Sequence, residues 1–152
     1  MRRIWNPARA RVAAEGTGSH DPLTTPPTFR KRDAMTTTDS LRDLAQQLDQ
    51  FAQDRSWQQF HSPKNLASAL VVEAGELLEH FQWLTEDQSR ALLPDKRAAV
   101  GAEVADVLLY LIQLASALNI DPIAAAQAKL KLNELKYPVD RARGTSKKYD
   151  EL

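Results

Sequence analysis

Two pairs of carboxylates, each spaced three residues apart, are the residues of this sequence best placed to do chemistry. Glu73 and Glu76 form one pair, and Glu103 and Asp106 form the other. Residues three apart lie on one face of a helix, so two packed helices would bring four carboxylates together. Like charges in an apolar setting need a counter-charge, and hard cations bind carboxylate oxygens. The spacing therefore predicts a Mg²⁺ site, with Mn²⁺ as the alternative ion, made of these four side chains.

Asp106 is the member of this set that a solvated helix surface explains least well. Acidic pairs at this spacing are common on exposed helices, but Asp106 is flanked by apolar residues such as Ala105 and Val107. A ferritin-like di-iron site would need Glu-x-x-His motifs. His80 instead follows Glu76 by four positions, so this kind of site is excluded.

A 3.6-residue apolar period begins at residue 40 and predicts the helices that must position the carboxylates. The first helix begins at a capping-box-like Ser40–Asp43 segment, and the second and fourth begin where proline follows a capping residue. We predict helices over residues 40 to about 52, 63 to about 84, 95 to about 118, and 122 to about 137. Strand-like alternation is absent from the sequence, which predicts an all-α fold with a four-helix bundle-type core.

The charge distribution divides the chain into a basic leader and an acidic domain. Residues 1–34 carry seven Lys/Arg and three Asp/Glu, a net +4, whereas residues 35–152 carry a net −4. Prolines, glycines and the lack of an apolar period predict that residues 1–39 are a disordered leader, and Met35 is the expected natural start. An organellar transit peptide is the alternative. The domain is then residues 40–152, ending in a basic tail, and its net negative charge argues against a nucleic acid polymer as partner.

Helices two and three are apolar nearly all round, which predicts that they are central and that the chain forms a homo-oligomer, a dimer or a tetramer. Asp106 interrupts the apolar run of helix three. A charge in lipid is expensive, so we expect no membrane span and a cytoplasmic protein. The absence of cysteine excludes disulfides, Cys-ligated zinc and thiol nucleophiles.

At these residues the sequence resembles the MazG-like, all-α nucleoside triphosphate pyrophosphohydrolases, whose motif has the form E-x-x-E followed by E-x-x-D. The resemblance extends over about residues 40–150 and is strongest with the dCTP pyrophosphatase branch. Besides the carboxylate motif, the segments that carry the resemblance are residues 51–57, 60–66, 81–83, 106–110 and 129–138.

The resemblance implies hydrolysis of a nucleoside triphosphate, dCTP or a modified dCTP, to the monophosphate and pyrophosphate, with a housekeeping role in the nucleotide pool. Carried over position by position, Glu73, Glu76, Glu103 and Asp106 become the metal ligands. Glu76 is our choice of general base, and Glu79 is the second candidate.

The resemblance also implies a set of substrate-binding residues. Lys129 and Asn133 are four apart and share a helix face, where they could bind phosphate or sugar, although an ordinary polar face would look the same. Aromatic side chains would stack on the base without identifying it, and core packing is the competing explanation for Tyr110. The predicted base pocket consists of Trp57, His61, Asn65, Trp83 and Tyr110.

Two other functions remain open from the sequence. One is a non-catalytic, oligomeric helical module that binds a metal or a partner protein. The other is a phosphoribosyl-ATP pyrophosphohydrolase, an enzyme that shares the helical fold. The aromatic residues favour a free nucleotide with an exposed base over the latter.

Overall fold

The computed structural model describes residues 37–152, and this part of the chain is built from helices joined by short turns. The prediction of an all-α fold is confirmed, whereas the predicted leader lies almost entirely outside the described residues. The helices are α1 (Thr37–Gln53), α2 (Pro63–Glu79), α3 (Glu86–Arg90), α4 (Pro94–Ala117), α5 (Pro122–Lys136) and α6 (Val139–Ala142), with a 3-10 turn at Gln58–Phe60.

Local capping chemistry explains where α2 and α5 begin. The Ser62 side chain accepts a hydrogen bond from the backbone N–H of Asn65, and proline occupies the first turn of α2. The Asp121 carboxylate accepts from the N–H groups of Ile123 and Ala124 at the start of α5. These caps satisfy backbone donors that have no partner within the helix.

Two predicted helix boundaries differ from the structure. Helix α1 begins at Thr37, three residues before the predicted start at Ser40. Helix α2 ends at Glu79 rather than near Leu84, and a separate short helix, α3, follows. The side chain of Thr85 accepts from the N–H of Gln88, whose side chain accepts from the N–H of Thr85 in return. This capping box requires extended backbone at Thr85, so the chain cannot remain helical from α2 into α3.

Helix α4 is the central element, with α2 packed along it and α1 packed over a shorter length. The buried side chains come from these helices, and they are Leu48, Ala52, Leu66, Tyr110, Ile112 and Ala115. Helix α5 has no buried residue and no extensive packing contact with any other described helix. The core is therefore small and lies at the α1–α4 and α2–α4 contacts.

Large apolar side chains remain exposed on α2, α4, α5 and α6. Val71 and Leu78 on α2 are 71% and 62% exposed, and Leu135 on α5 is 81% exposed. By length and composition α4 would also be apolar enough to cross a membrane. Many exposed large apolar side chains are typical of a protein that contacts another molecule. The predicted homo-oligomer is consistent with it and stays a prediction.

Candidate metal centre and base pocket

The packing of α2 against α4 brings three of the four predicted metal ligands together. Glu73 of α2 meets Glu103 and Asp106 of α4, and one carboxylate oxygen from each lies within 4.8 Å of the others. All three side chains are half-buried. The three-residue spacing on α4 places its two carboxylates on one face, and the helix contact supplies the third.

Burial and mutual repulsion disfavour the charged forms of these groups. Burial raises the pKa of Glu103, and the nearby charges of Glu76 and Asp106 raise it further. Burial likewise raises the pKa of Asp106, with Glu76 as the second cause. One oxygen of Glu103, Oε2, is buried and has no hydrogen-bond partner among the described residues. Hard divalent cations bind carboxylate oxygens. A buried carboxylate oxygen without a hydrogen-bond partner, next to two other carboxylates, is therefore compatible with such an ion.

Glu76 stands next to this group without belonging to it. Its carboxylate is outside the set of oxygens within 4.8 Å, yet its charge acts on both Glu103 and Asp106. Glu79, the second candidate base, is exposed at the end of α2, and its charge also reaches Glu103. His80 acts in the opposite sense and lowers the pKa of Glu103. The predicted roles of Glu76 as ligand and base stay predictions.

A cavity of about 260 Å³ lies between α1, α4 and the turn that follows α1. Its walls are mostly apolar and aromatic, and they include three of the five residues predicted for the base pocket. The lining residues are Leu44, Gln47, Leu48, Phe51, Trp57, His61, Leu109, Tyr110 and Gln113. The ring of Trp57 meets Phe51 edge-on at 5.8 Å and His61 at 6.4 Å between centroids. Burial lowers the pKa of His61, which favours the neutral imidazole.

The turn after α1 directs Trp57 into this cavity. Ser56 adopts a left-handed conformation with φ of 53°. Its N–H then donates to the carbonyl of Gln53, and the N–H of Trp57 donates to that of Ala52. This Schellman-type ending folds the chain back over the last turn of α1. The indole is thereby held against Phe51 rather than in solvent.

Tyr110 connects the cavity with the acidic group. It lies one helical turn beyond Asp106 on α4 and is buried, with 6% of its surface exposed. Its pKa is raised by burial first, and then by the negative charges of Glu73 and Asp106. Tyr110 therefore lies within electrostatic range of the carboxylates and also lines the aromatic cavity. A ligand whose ring occupied the cavity would have its charged groups near the carboxylates.

Four predicted substrate-binding residues are not part of this arrangement. The amide of Asn65 donates to the carbonyl of Phe60 and so supports the turn before α2. Trp83 is 87% exposed in the segment after α2. Lys129 and Asn133 lie on α5, which packs along none of the other described helices. Within residues 37–152 of one chain, these four do not line the aromatic cavity.

Two glutamines line the cavity, and neither was among the site residues predicted from the sequence. Gln47 comes from α1 and is exposed, whereas Gln113 comes from α4 and is half-buried. The sequence does contain one indication for Gln113. It is a polar residue within the apolar run of α4, as Asp106 is. What identifies Gln113 in the structure is its side-chain oxygen, which is buried without a hydrogen-bond partner in the described part of the chain.

The described residues form an all-α protein with a group of carboxylates beside an aromatic cavity, and comparisons with known proteins identify its family. A model of the MazG-like family matches residues 69–152. Human (Homo sapiens) dCTP pyrophosphatase 1 is 43% identical over 115 residues, which cover 74% of this chain and 68% of the human protein. The Mus musculus protein of that name is 44% identical with the same coverage.

A solved structure agrees with the sequence relatives. The crystal structure of a pyrophosphatase from Archaeoglobus fulgidus aligns with a TM-score of 0.62 at 40% identity, covering 65% of this chain and 93% of that one. The chain belongs to the MazG-like family.

Proposed function

We propose that this protein hydrolyses a nucleoside triphosphate to the nucleoside monophosphate and pyrophosphate, with dCTP or a modified dCTP as the substrate. The observation that carries the proposal is the position of Tyr110, which joins an aromatic cavity to a group of carboxylates. The relatives' names, dCTP pyrophosphatase and pyrophosphatase, support the reaction class and the choice of base.

The size of the cavity supports binding of the base rather than of the whole nucleotide. At about 260 Å³ it lies at the small end of small-molecule pockets, and its apolar walls suit an aromatic ring. Trp57 and Tyr110 offer π-faces, which stack on any base and so contribute affinity. The triphosphate would then lie beyond Tyr110, towards Glu73 and Asp106.

The carboxylates would hold Mg²⁺, or alternatively Mn²⁺, through Glu73, Glu103 and Asp106, with Glu76 as the fourth proposed ligand. The bound ion would supply neutralisation of phosphate charge and polarisation of the phosphoryl group. Glu76 is the proposed acceptor of a proton from the attacking water, and its position beside the acidic group, outside the closest contacts, supports this role. Addition of that water breaks the anhydride bond between the α- and β-phosphates.

A second copy of the chain would account for the proposed roles of Lys129 and Asn133. Helix α5 carries both residues, together with exposed Leu130, Leu132 and Leu135, and it packs on no other described helix over its length. Association of copies through the apolar surfaces of α2, α4 and α5 would bury these side chains. It would also allow α5 to reach the site of a neighbouring chain and provide a cation for the phosphates.

Release of pyrophosphate from a panel of nucleotides tests the proposal. The panel contains dCTP, 5-modified dCTP, CTP, dUTP and dTTP, each with saturating Mg²⁺, and products are identified by chromatography. We expect cleavage of dCTP to dCMP and pyrophosphate. No turnover of any nucleotide would favour a non-catalytic helical module, and cleavage of phosphoribosyl-ATP alone would identify the other pyrophosphohydrolase.

A further inference from the structure

Arg55 contacts a wall of the aromatic cavity without lining the cavity itself. It lies in the turn after α1, and its side chain is exposed. The guanidinium carbon is 3.5 Å from the centre of the Phe51 ring, which makes this a cation–π contact. The Nη1 atom also donates a hydrogen bond of 3.0 Å to the backbone carbonyl of Phe51. One exposed arginine therefore holds both the ring and the backbone of a residue that lines the cavity.

The hydrogen bond to Phe51 belongs to the way in which α1 ends. The last four carbonyls of a helix have no partner within it, so other donors must satisfy them. The N–H of Arg55 donates to Ala52, three residues back, at 3.3 Å. A continuing helix would instead offer that N–H the carbonyl of Phe51, four residues back. The side chain of Arg55 donates to this carbonyl, so it supports the last turn of α1.

The position of Trp57 depends on the same turn. In a Schellman-type ending, the residue after the left-handed one commonly packs against the helix about a turn earlier. Ser56 is the left-handed residue, and the Trp57 ring meets Phe51 edge-on at 5.8 Å. Phe51 is only half-buried, so packing restrains its ring less than it would restrain a buried one. The two contacts from Arg55 add to that restraint, on the residue against which Trp57 packs.

We propose that Arg55 is a positioning residue for binding of the base: it fixes the Phe51 ring and the end of α1, and so keeps Trp57 at the wall of the cavity. This inference rests on the proposed function and adds to it a residue outside the cavity wall. Affinity falls with the fraction of the protein whose site is correctly arranged, and Arg55 raises that fraction. The chemical step is left unaffected, because the charges that shift the pKa values of Glu103 and Asp106 come from other residues.

Quenching of tryptophan fluorescence by acrylamide tests the positioning without any nucleotide. The sequence contains three tryptophans, so replacing Trp5 and Trp83 with phenylalanine leaves Trp57 as the only emitter. In this background we expect Arg55→Gln to raise the quenching constant about twofold, because the indole spends more time in solvent. Arg55→Lys keeps a cation that can lie over the Phe51 ring but loses the planar stacking, so it should give a smaller rise.

Kinetics and nucleotide binding are measured in the full chain with its tryptophans intact. We expect Arg55→Gln to raise KM for dCTP, and Kd for its α,β-imido analogue, about fivefold while kcat changes by less than about twofold. Arg90→Gln is the matched control, because Arg90 is an exposed arginine that also makes side-chain contacts, with Glu86 at 3.1 Å and Asp87 at 3.2 Å. It lines none of the cavities described, so quenching of Trp57 and KM should both stay unchanged.

The outcomes separate a positioning role from a structural one. A folded Arg55→Gln variant with a lower Tm, but with unchanged quenching and unchanged KM, overturns the inference. A fall in kcat with no change in KM overturns it as well. If Arg55→Gln does not fold, Arg55→Lys decides by the same measurements. Wild-type protein that binds and cleaves no nucleotide contradicts the proposed function, whereas quenching still decides whether Arg55 holds Trp57 in place.

Discussion

Replacing Asp106 with asparagine should stabilise the metal-free protein while abolishing its activity. Asp106 lies with Glu73 and Glu103 in a group whose oxygens are within 4.8 Å of one another. Asparagine is nearly the same size and keeps one acceptor oxygen, so the substitution removes charge with little change in packing. Opposite effects on stability and turnover are expected only if the carboxylates repel one another until a cation binds.

The size of the stabilisation follows from the spacing of the oxygens. At 4.8 Å, two unit charges repel by about 0.9 kcal/mol in water and by about 3.5 kcal/mol at an effective dielectric constant of about 20. The three side chains are half-buried rather than fully buried, so the lower part of this range applies. A gain of about 1–2 kcal/mol corresponds to a rise in Tm of roughly 5 °C for a domain of this size.

Thermal melting near neutral pH, with chelator and then with Mg²⁺, measures both effects. Wild-type protein should gain stability from Mg²⁺ by mass action, and Asp106→Asn should lose most of that gain. Asp95→Asn is the control: Asp95 is exposed in the first turn of α4, so its loss should lower Tm slightly and leave the Mg²⁺ response intact. A variant that melts below wild type in chelator and still responds to Mg²⁺ would refute the assignment.

Four other predictions concern nucleobase binding, the general base, the turn after α1 and the oligomer. Trp57→Ala should raise KM for dCTP about tenfold with a smaller effect on kcat, since stacking contributes about 1–3 kcal/mol in both ground and transition states; steady-state kinetics would contradict this if kcat alone fell. Glu76→Gln should lower kcat at least a hundredfold while preserving part of the Mg²⁺-induced rise in Tm, as expected of a base beside the metal group. Ser56→Gly should raise Tm, because glycine removes about 1 kcal/mol of left-handed backbone strain, and an unchanged or lower Tm would show that Ser56 is unstrained. Light scattering should give the mass of a dimer or a tetramer, and Leu135→Glu should reduce it; a wild-type monomer would contradict the proposed role of α5.

Local chemistry made much of the helical frame predictable. The apolar period, the caps at Ser62 and Asp121 and the following prolines marked helix starts that the structure confirms. Helix ends were harder to predict: α2 ends at Glu79 and turns follow it, whereas the capping box at Thr85 explains only why α3 is a separate helix. The apolar run of α2 contains no breaking residue at that point.

Part of the candidate site was likewise predictable from the sequence, and part depended on tertiary packing. The pairing of Glu103 with Asp106 depends on helical spacing and was predictable, and α2 packing on α4 added Glu73. Trp57, His61 and Tyr110 line the cavity, and their role in binding the base stays a prediction. Gln113 was missed because no sequence pattern reports an unsatisfied oxygen. The roles of Trp83, Lys129 and Asn133 stay predictions, because none of these side chains lines the cavity within residues 37–152.

The sequence by itself determined which residues could do chemistry, because residue type and helical period are properties of short segments. Only the tertiary structure decided that Tyr110 joins the acidic group to the cavity and that Gln113 has an acceptor to satisfy. Both facts arise from the packing of α1 and α2 on α4, which removes particular atoms from water and brings charges from distant segments within a few ångströms of one another.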